Sequence, residues 1–204
     1  MQQKTFIFIG KSGSGKGTQA ELLKSYLEKN DSRSVLYLET GAELRKLVKG
    51  GGYTGELTKK IIDVGGLMPE FLPVYLWSKL FLDNLKGNEH IITDGMPRKL
   101  QEALILDGAF NFYERKKTTV VYLDVSIDSV VARLQKRGKE TGRTDDLNIE
   151  TIKNRLTYFE KDVWPVVDYY RQNPAYNFLH IDGEPSVEDI HKDIMKRIEE
   201  NLDD

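Results

Sequence analysis

The chain contains no cysteine, so disulfides, a thiol redox pair and a thiolate zinc site are all excluded. Histidine is almost as scarce: His90, His180 and His191 are scattered without metal-ligand spacing. No stretch approaches the roughly 18 apolar residues that a bilayer span needs. The run Phe6-Ile7-Phe8-Ile9 is too short for a signal sequence and leads straight into glycines. Charge of one sign is not in excess either. Thirty Lys+Arg against 32 Asp+Glu leave −2, a balance that favours neither nucleic acid nor an anionic membrane as partner. Internal repeats and low-complexity linkers are missing too. The expectation is a cytoplasmic protein whose 204 residues build one well-buried core.

What is present is an alternation of two patterns. Short apolar runs bounded by turn residues fall at Thr5–Ile9, Val35–Leu38, His90–Thr93, Thr119–Val125 and Asn177–Ile181. Several lack clean alternation, as expected of strands covered on both faces. Between them the spacing predicts helices over Lys16–Glu28, Ala42–Val48, Thr54–Val64, Glu70–Leu85, Lys99–Phe112, Ile127–Arg137, Ile149–Tyr170 and Val187–Leu202. Strand and helix in turn predict an α/β fold around a parallel sheet. Two segments read as movable pieces or as plain surface loops. One is Thr40–Met68, where Gly50-Gly51-Gly52 and Gly65-Gly66 bracket a helix; the other is the polar stretch Gly138–Asp146.

The strongest local signal is Gly10-Lys11-Ser12-Gly13-Ser14-Gly15-Lys16-Gly17-Thr18. It fits G-x-x-x-x-G-K and lies between a buried strand and a helix start. Glycines let successive main-chain N–H groups turn around a phosphate, and the helix N-terminus adds its positive end. Lys16 then reaches the β- and γ-phosphates. An ordinary glycine-rich turn is the alternative. Gly17 stands where many such loops carry a Ser or Thr on Mg²⁺, and Thr18 comes one residue later. The metal would then be held mainly by phosphate oxygens and water.

Further motifs follow in order: Thr40-Gly41-Ala42-Glu43-Leu44-Arg45, then Asp94-Gly95-Met96-Pro97-Arg98, then Arg133 and Arg137 ahead of Gly142-Arg143-Thr144-Asp145-Asp146, and Arg155. With Gly10–Gln19 and the late Trp164–Tyr170 segment, they resemble the adenylate kinase family of nucleoside monophosphate kinases from residue 5 to about 190. The family's signature carries Phe where Met96 stands. The resemblance implies a single three-layer P-loop NTPase domain over residues 1–204. Its five-stranded parallel sheet would run in the order 2-3-1-4-5. An NMP-binding insertion at about 40–69 and a short lid at about 137–146 would extend it. It also implies reversible transfer from ATP to a nucleoside monophosphate, with Mg²⁺ bound to ATP and the chain a monomer.

By the same resemblance, Gly13, Ser14, Gly15, Lys16, Gly17, Thr18, Arg133, Arg137 and Pro185 would bind ATP. Thr40, Gly41, Arg45, Gly66, Leu67, Met68, Gly95, Arg98, Glu102, Arg143 and Arg155 would bind the monophosphate. Lys16, Arg98, Arg137, Arg143 and Arg155 would be catalytic. Physical reasoning supports such a set. The nucleophile is already an anionic phosphate oxygen, so no general base is needed, and rate comes from alignment and charge neutralisation. Guanidinium suits this, because its planar fork holds phosphate oxygens in pairs and stays charged. Asp94, at the end of a strand, would accept from waters on Mg²⁺ or cap the next helix.

Thr40 favours AMP, since pyrimidine-monophosphate relatives usually carry Ala there. The family's adenine-reading Gln corresponds to Glu102, with Gln101 one residue earlier. An ionised glutamate accepts from an amino group but cannot donate to a ring nitrogen. CMP, UMP and GMP therefore stay open as acceptors, and Gln101 stays open as the reader. A catalytically silent nucleotide-binding module is the reading from another class, although it predicts loss of Lys16 or of the arginines, and all are present.

Overall fold

The computed structural model describes residues 3–200. Five parallel strands form the sheet: β1 Thr5–Gly10, β2 Val35–Glu39, β3 His90–Asp94, β4 Thr119–Asp124 and β5 Asn177–Asp182. They lie in the order β2-β3-β1-β4-β5, the order implied by the resemblance. Helices α1 Lys16–Asn30 and α9 Val187–Glu200 cover one face. The other face is covered by α4 Phe71–Asn84, α5 Leu100–Phe112 and α8 Trp164–Gln172. The predicted end of the last helix at Leu202 lies outside the described residues.

Side-chain alternation along the central strand makes the three layers. Phe6 and Phe8 point to Ala20, Leu23 and Leu27 of α1 and to Ile190, Ile194 and Ile198 of α9. Ile7 and Ile9 point the other way, among Trp77, Phe81, Leu106, Phe110 and Tyr170. A strand that must be apolar on both faces loses its period-2 signature, which is why β1 reads as a continuous run.

The two predicted movable segments prove largely helical. The first holds α2 Thr40–Gly50 and α3 Gly52–Asp63, joined at Gly51, where φ is 75° and a side chain would be strained. In the second, α6 Ile127–Thr141 runs past its predicted end at Arg137. It stops where Gly142 takes a left-handed conformation and returns its N–H to the Gly138 carbonyl. A single 3₁₀ turn, Thr144–Asp146, leads to α7 Ile149–Tyr158. The predicted helix Ile149–Tyr170 is also broken. A π-turn at Phe159–Val163 separates α7 from α8 and adds width that seats both Phe159 and Val163 in the core. No helix among the described residues is long and apolar enough to cross a membrane.

Candidate active site

The carboxyl ends of β1 and β3 open onto a cleft of about 370 Å³. Ligands bind at this edge in open parallel sheets, where the chain switches sides. After β1 the backbone turns through Gly13 and Gly15, whose φ values are 89° and 94°, before α1 begins. Only glycine takes such angles without strain, and at Gly13 a Cβ would also stand 2.8 Å from Leu134. The turn is closed by Ser14 N–H donating to the Lys11 carbonyl at 3.0 Å, to which the Lys16 ammonium also donates at 3.2 Å.

Lys16 and Asp94 face each other across this turn. Burial lowers the Lys16 ammonium to about 8, with the Asp94 charge opposing the shift. Burial pushes the Asp94 carboxyl up, against the pull of Lys16. Tyr37 donates to one Asp94 oxygen at 3.2 Å, and the other is buried without a partner. A Cβ on Gly17 would stand 2.9 Å from Asp94. A side chain at position 17 would therefore have to displace this carboxylate.

The arginines arrive from three helices and two loops. Arg45 on α2 pairs with Glu39 at 2.6 Å, and Arg98 donates from Nε to the Gly95 carbonyl at 3.0 Å. Arg137 on α6 grips both oxygens of the fully buried Asp146, at 2.7 and 2.9 Å. Arg155 on α7 takes Asp146 at 2.7 Å and also bonds Asp145. Burial lowers the Arg143 guanidinium, reinforced by neighbouring Arg45 and Arg137. These five and Lys16 line one cleft, six basic side chains against the four acidic ones of Glu21, Glu39, Asp94 and Asp145.

A profile of the adenylate kinase family matches residues 8–175. The chain belongs to the adenylate kinase family. It is 36% identical to an adenylate kinase of Bacteroides fragilis over 194 residues, covering 95% of this chain and 97% of the relative. An adenylate kinase of Leptospira biflexa is 34% identical over 195 residues, with 96% and 100% covered. A uridylate kinase of Saccharomyces cerevisiae is 35% identical over 204 residues, with 98% and 93% covered. As a member of the family the chain is a nucleoside monophosphate kinase, an enzyme of phosphoryl transfer between nucleotides.

Other residues singled out in this adenylate kinase-family chain also meet at the cleft. Gly13, Gly15, Gly17, Thr18, Gly41, Gly66 and Gly95 line it. Several singled-out residues do not. Ser14 is fully buried and its hydroxyl has no partner. Arg133 reaches the Ser14 carbonyl at 3.2 Å and the Gly183 carbonyl at 2.8 Å, on the side of the loop where exposed Pro185 follows β5. Thr40 is buried beside a small apolar void with Trp77 and Met96, its hydroxyl unpartnered. Met68 packs with Leu44 and Leu72, next to half-buried Leu67. Glu102 is 2% exposed and accepts the Arg98 N–H at 2.8 Å, while Gln101 faces outward.

Lys11 escapes a motif reading, because its position in the loop pattern is unspecified. Its ammonium donates to the Val125 carbonyl at 3.1 Å, stands 3.5 Å from Asp124 and lies over the Phe159 ring at 5.2 Å. It thereby ties the glycine-rich loop to β4 and to the π-turn. Tyr37, Glu39 and Tyr158 also line the cleft; in the sequence Tyr37 and Tyr158 carried only a strand or helix pattern, and Glu39 lay between a predicted strand and the next helix.

Proposed function

We propose that the chain catalyses reversible transfer of the terminal phosphoryl group of ATP to AMP, giving two ADP. The observation that carries this reading is the convergence of Lys16 with Arg45, Arg98, Arg137, Arg143 and Arg155 on a single cleft. In this reading the amides from Gly13 to Thr18 and the Lys16 ammonium hold the donor's phosphates. Arg133 and Pro185 flank its base. Arg45 and Arg98 hold the acceptor's phosphate, and Arg137, Arg143 and Arg155 neutralise charge on the group in transit. Segment 40–69 is the acceptor insertion, with Thr40, Gly41, Gly66, Leu67, Met68, Gly95 and Glu102 around the acceptor, and segment 137–146 is the lid.

The buried, unpartnered Asp94 oxygen and the space left by Gly17 fit a hydrated magnesium ion bound with ATP. Such an ion supplies charge neutralisation on the β- and γ-phosphates. Asp94 would accept hydrogen bonds from its waters, and the chain's own residues bind, align and exclude solvent.

A second reading, a pyrimidine-monophosphate kinase, is favoured by one observation. Glu102 is an acceptor-only group when ionised, as suits an amino-bearing base such as cytosine. A coupled assay with ATP against AMP, CMP, UMP and GMP decides between them. AMP should give the highest kcat/KM; a preference for CMP or UMP retires the adenylate reading and leaves the kinase intact. ADP formation that survives in Lys16→Met would remove the proposed site altogether.

A further inference from the structure

Glu39 is a residue that its local structure does not ask for. It ends β2 and takes the N-cap position of α2, where Ser, Thr, Asp or Asn is preferred. Its side chain makes no capping bond to the α2 amides. In the sheet it stands in register with Asp94 of β3, which sets two carboxylates side by side at the cleft. Its charge adds to the burial that pushes the Asp94 carboxyl up. A weak cap and a like charge beside a buried carboxylate are both unfavourable, so neither strand nor helix accounts for the residue. Breaches of local rules of this kind gather where function needs them.

The carboxylate turns instead to Arg45, whose Nη2 donates to Glu39 Oε1 at 2.6 Å. Arg45 lies one turn after Gly41 on α2, and helical side chains point back toward the helix start. Gly41 points to the same pair by an independent route. Its φ is not left-handed, so the backbone does not require glycine there. A Cβ at this position would stand 3.1 Å from Arg45 Nη1 and 3.5 Å from Glu39 Oε1. The missing side chain is the space in which the pair lies.

The bond takes one N–H of the guanidinium, and Arg45 makes no other hydrogen bond among the described residues. Most of its fork therefore stays open to a phosphate. The two side chains are 43% and 34% exposed, and a pair so solvated adds little to stability. Its value is geometric. It is electrostatic too: Arg143, lowered first by burial, also feels Arg45 and Arg137 as like charges, which Asp146 and Glu39 oppose. Asp146 grips Arg137 and Arg155; Glu39 is the corresponding carboxylate for Arg45.

We propose that Glu39 is a positioning residue for the acceptor, holding Arg45 by one N–H so that the rest of its guanidinium meets the monophosphate already in place. The inference rests on the reading in which Arg45 holds the acceptor's phosphate. Without Glu39, a long side chain must be ordered each time the acceptor binds, against the uncompensated charge of Arg143.

The test is steady-state kinetics for both substrates, with calorimetric titration of the monophosphate into the nucleotide-free chain. The monophosphate is whichever of AMP, CMP, UMP and GMP the parent chain uses best. Glu39→Ala should raise its Kd and KM about tenfold, leave the KM for ATP within about twofold, and move the melting temperature by about two degrees at most. Glu39→Gln keeps an oxygen to accept from Arg45 and should return both constants to within about threefold of the parent. In an Arg45→Ala background, Glu39→Ala should cause no further loss. A monophosphate KM that falls in Glu39→Ala overturns the proposal, since the carboxylate would then compete with phosphate for Arg45. Equal losses for both substrates, or additive losses in the double variant, overturn it as well. If Arg45→Ala raises the monophosphate KM and Glu39→Ala does not, Glu39 alone loses its role. If Arg45→Ala leaves that KM unchanged, the placing of Arg45 on the acceptor fails, and this proposal with it.

Discussion

At the scale of single residues the cleft is poised against its own solvation. Lys16 is buried enough to bring its ammonium to about 8, so about nine-tenths is charged at pH 7 and about one-tenth at pH 9. Phosphate needs the charged form. The KM for ATP should therefore rise as pH climbs through 8, by up to about tenfold per unit, while below pH 7 it is flat with respect to this group. The sign for folding is the reverse: between 8 and the ordinary lysine value the unfolded chain holds the proton that the native one has lost, so Lys16 adds stability as pH rises. A KM for ATP that stays level from pH 7.5 to 9.5 would sink the assignment of Lys16 to the phosphates. Glu102 gives the second residue-level prediction. One of its oxygens takes the Arg98 N–H, a bond the glutamine amide oxygen can keep, so Glu102→Gln mainly turns an acceptor into a donor. If this side chain reads the base, the AMP-to-CMP ratio of kcat/KM should rise at least threefold in the variant. An unchanged ratio would make Glu102 a helix cap and nothing more.

At the scale of elements, α6 and α7 are bound through one carboxylate. Burial alone would raise the Asp146 carboxyl, yet hydrogen bonds and charge from Arg137 and Arg155 hold it below the ordinary range. Its stabilising contribution is then complete at neutral pH and disappears as pH falls through the depressed value. Asp146→Asn should cost about 2–4 kcal/mol at pH 7, toward the low side because Arg137 is partly solvated. The gap from the parent chain, read by urea melts, should close as pH falls below the ordinary carboxylate range; a gap that persists once the carboxyl is protonated refutes the ion-pair account. A second joint ties α7 to segment 40–69, the proposed acceptor insertion. Gly65, at φ 70°, places its backbone so that a Cβ would stand 2.4 Å from the Thr151 carbonyl, and Asn154 donates to the Val64 carbonyl at 2.8 Å. Gly65→Ala should thus raise the KM for the monophosphate several-fold more than that for ATP; equal changes would argue against the joint. Strands and most helix bounds are legible in the sequence because each strand is built on a short apolar run, fully buried in β1 and β3 and partly buried in the edge strands β2 and β5, and no tertiary partner is needed to recognise it. The π-turn at Phe159 and the extension of α6 to Thr141 are not. The first depends on the distant core that takes Phe159, while the second is set locally, where Gly142 turns left-handed and stops the helix.

At the scale of the whole molecule, charge is segregated. A chain of net −2 presents six basic groups against four acidic ones in its cleft. The motif residues that make this cleft are legible because phosphate chemistry demands glycine, lysine and arginine in fixed order. The groups that aim them are only partly so: an acidic pair beside the arginines, Asp145-Asp146, is visible in the sequence, whereas Lys11 and Tyr37 act through contacts that only folding creates. A positive cleft in a slightly negative body attracts multiply charged nucleotides over distances that salt can screen. Raising NaCl from 0.02 to 0.5 M should therefore lower kcat/KM for ATP and for the monophosphate several-fold. The melting temperature of the nucleotide-free chain should move by only a few degrees, because its core is apolar and its ion pairs at the cleft are short. The six like charges in fact repel one another in the absence of nucleotide, so screening should help rather than harm the empty fold. Loss of stability in step with loss of kcat/KM would mean that salt acts on folding, and the argument from cleft charge would fail.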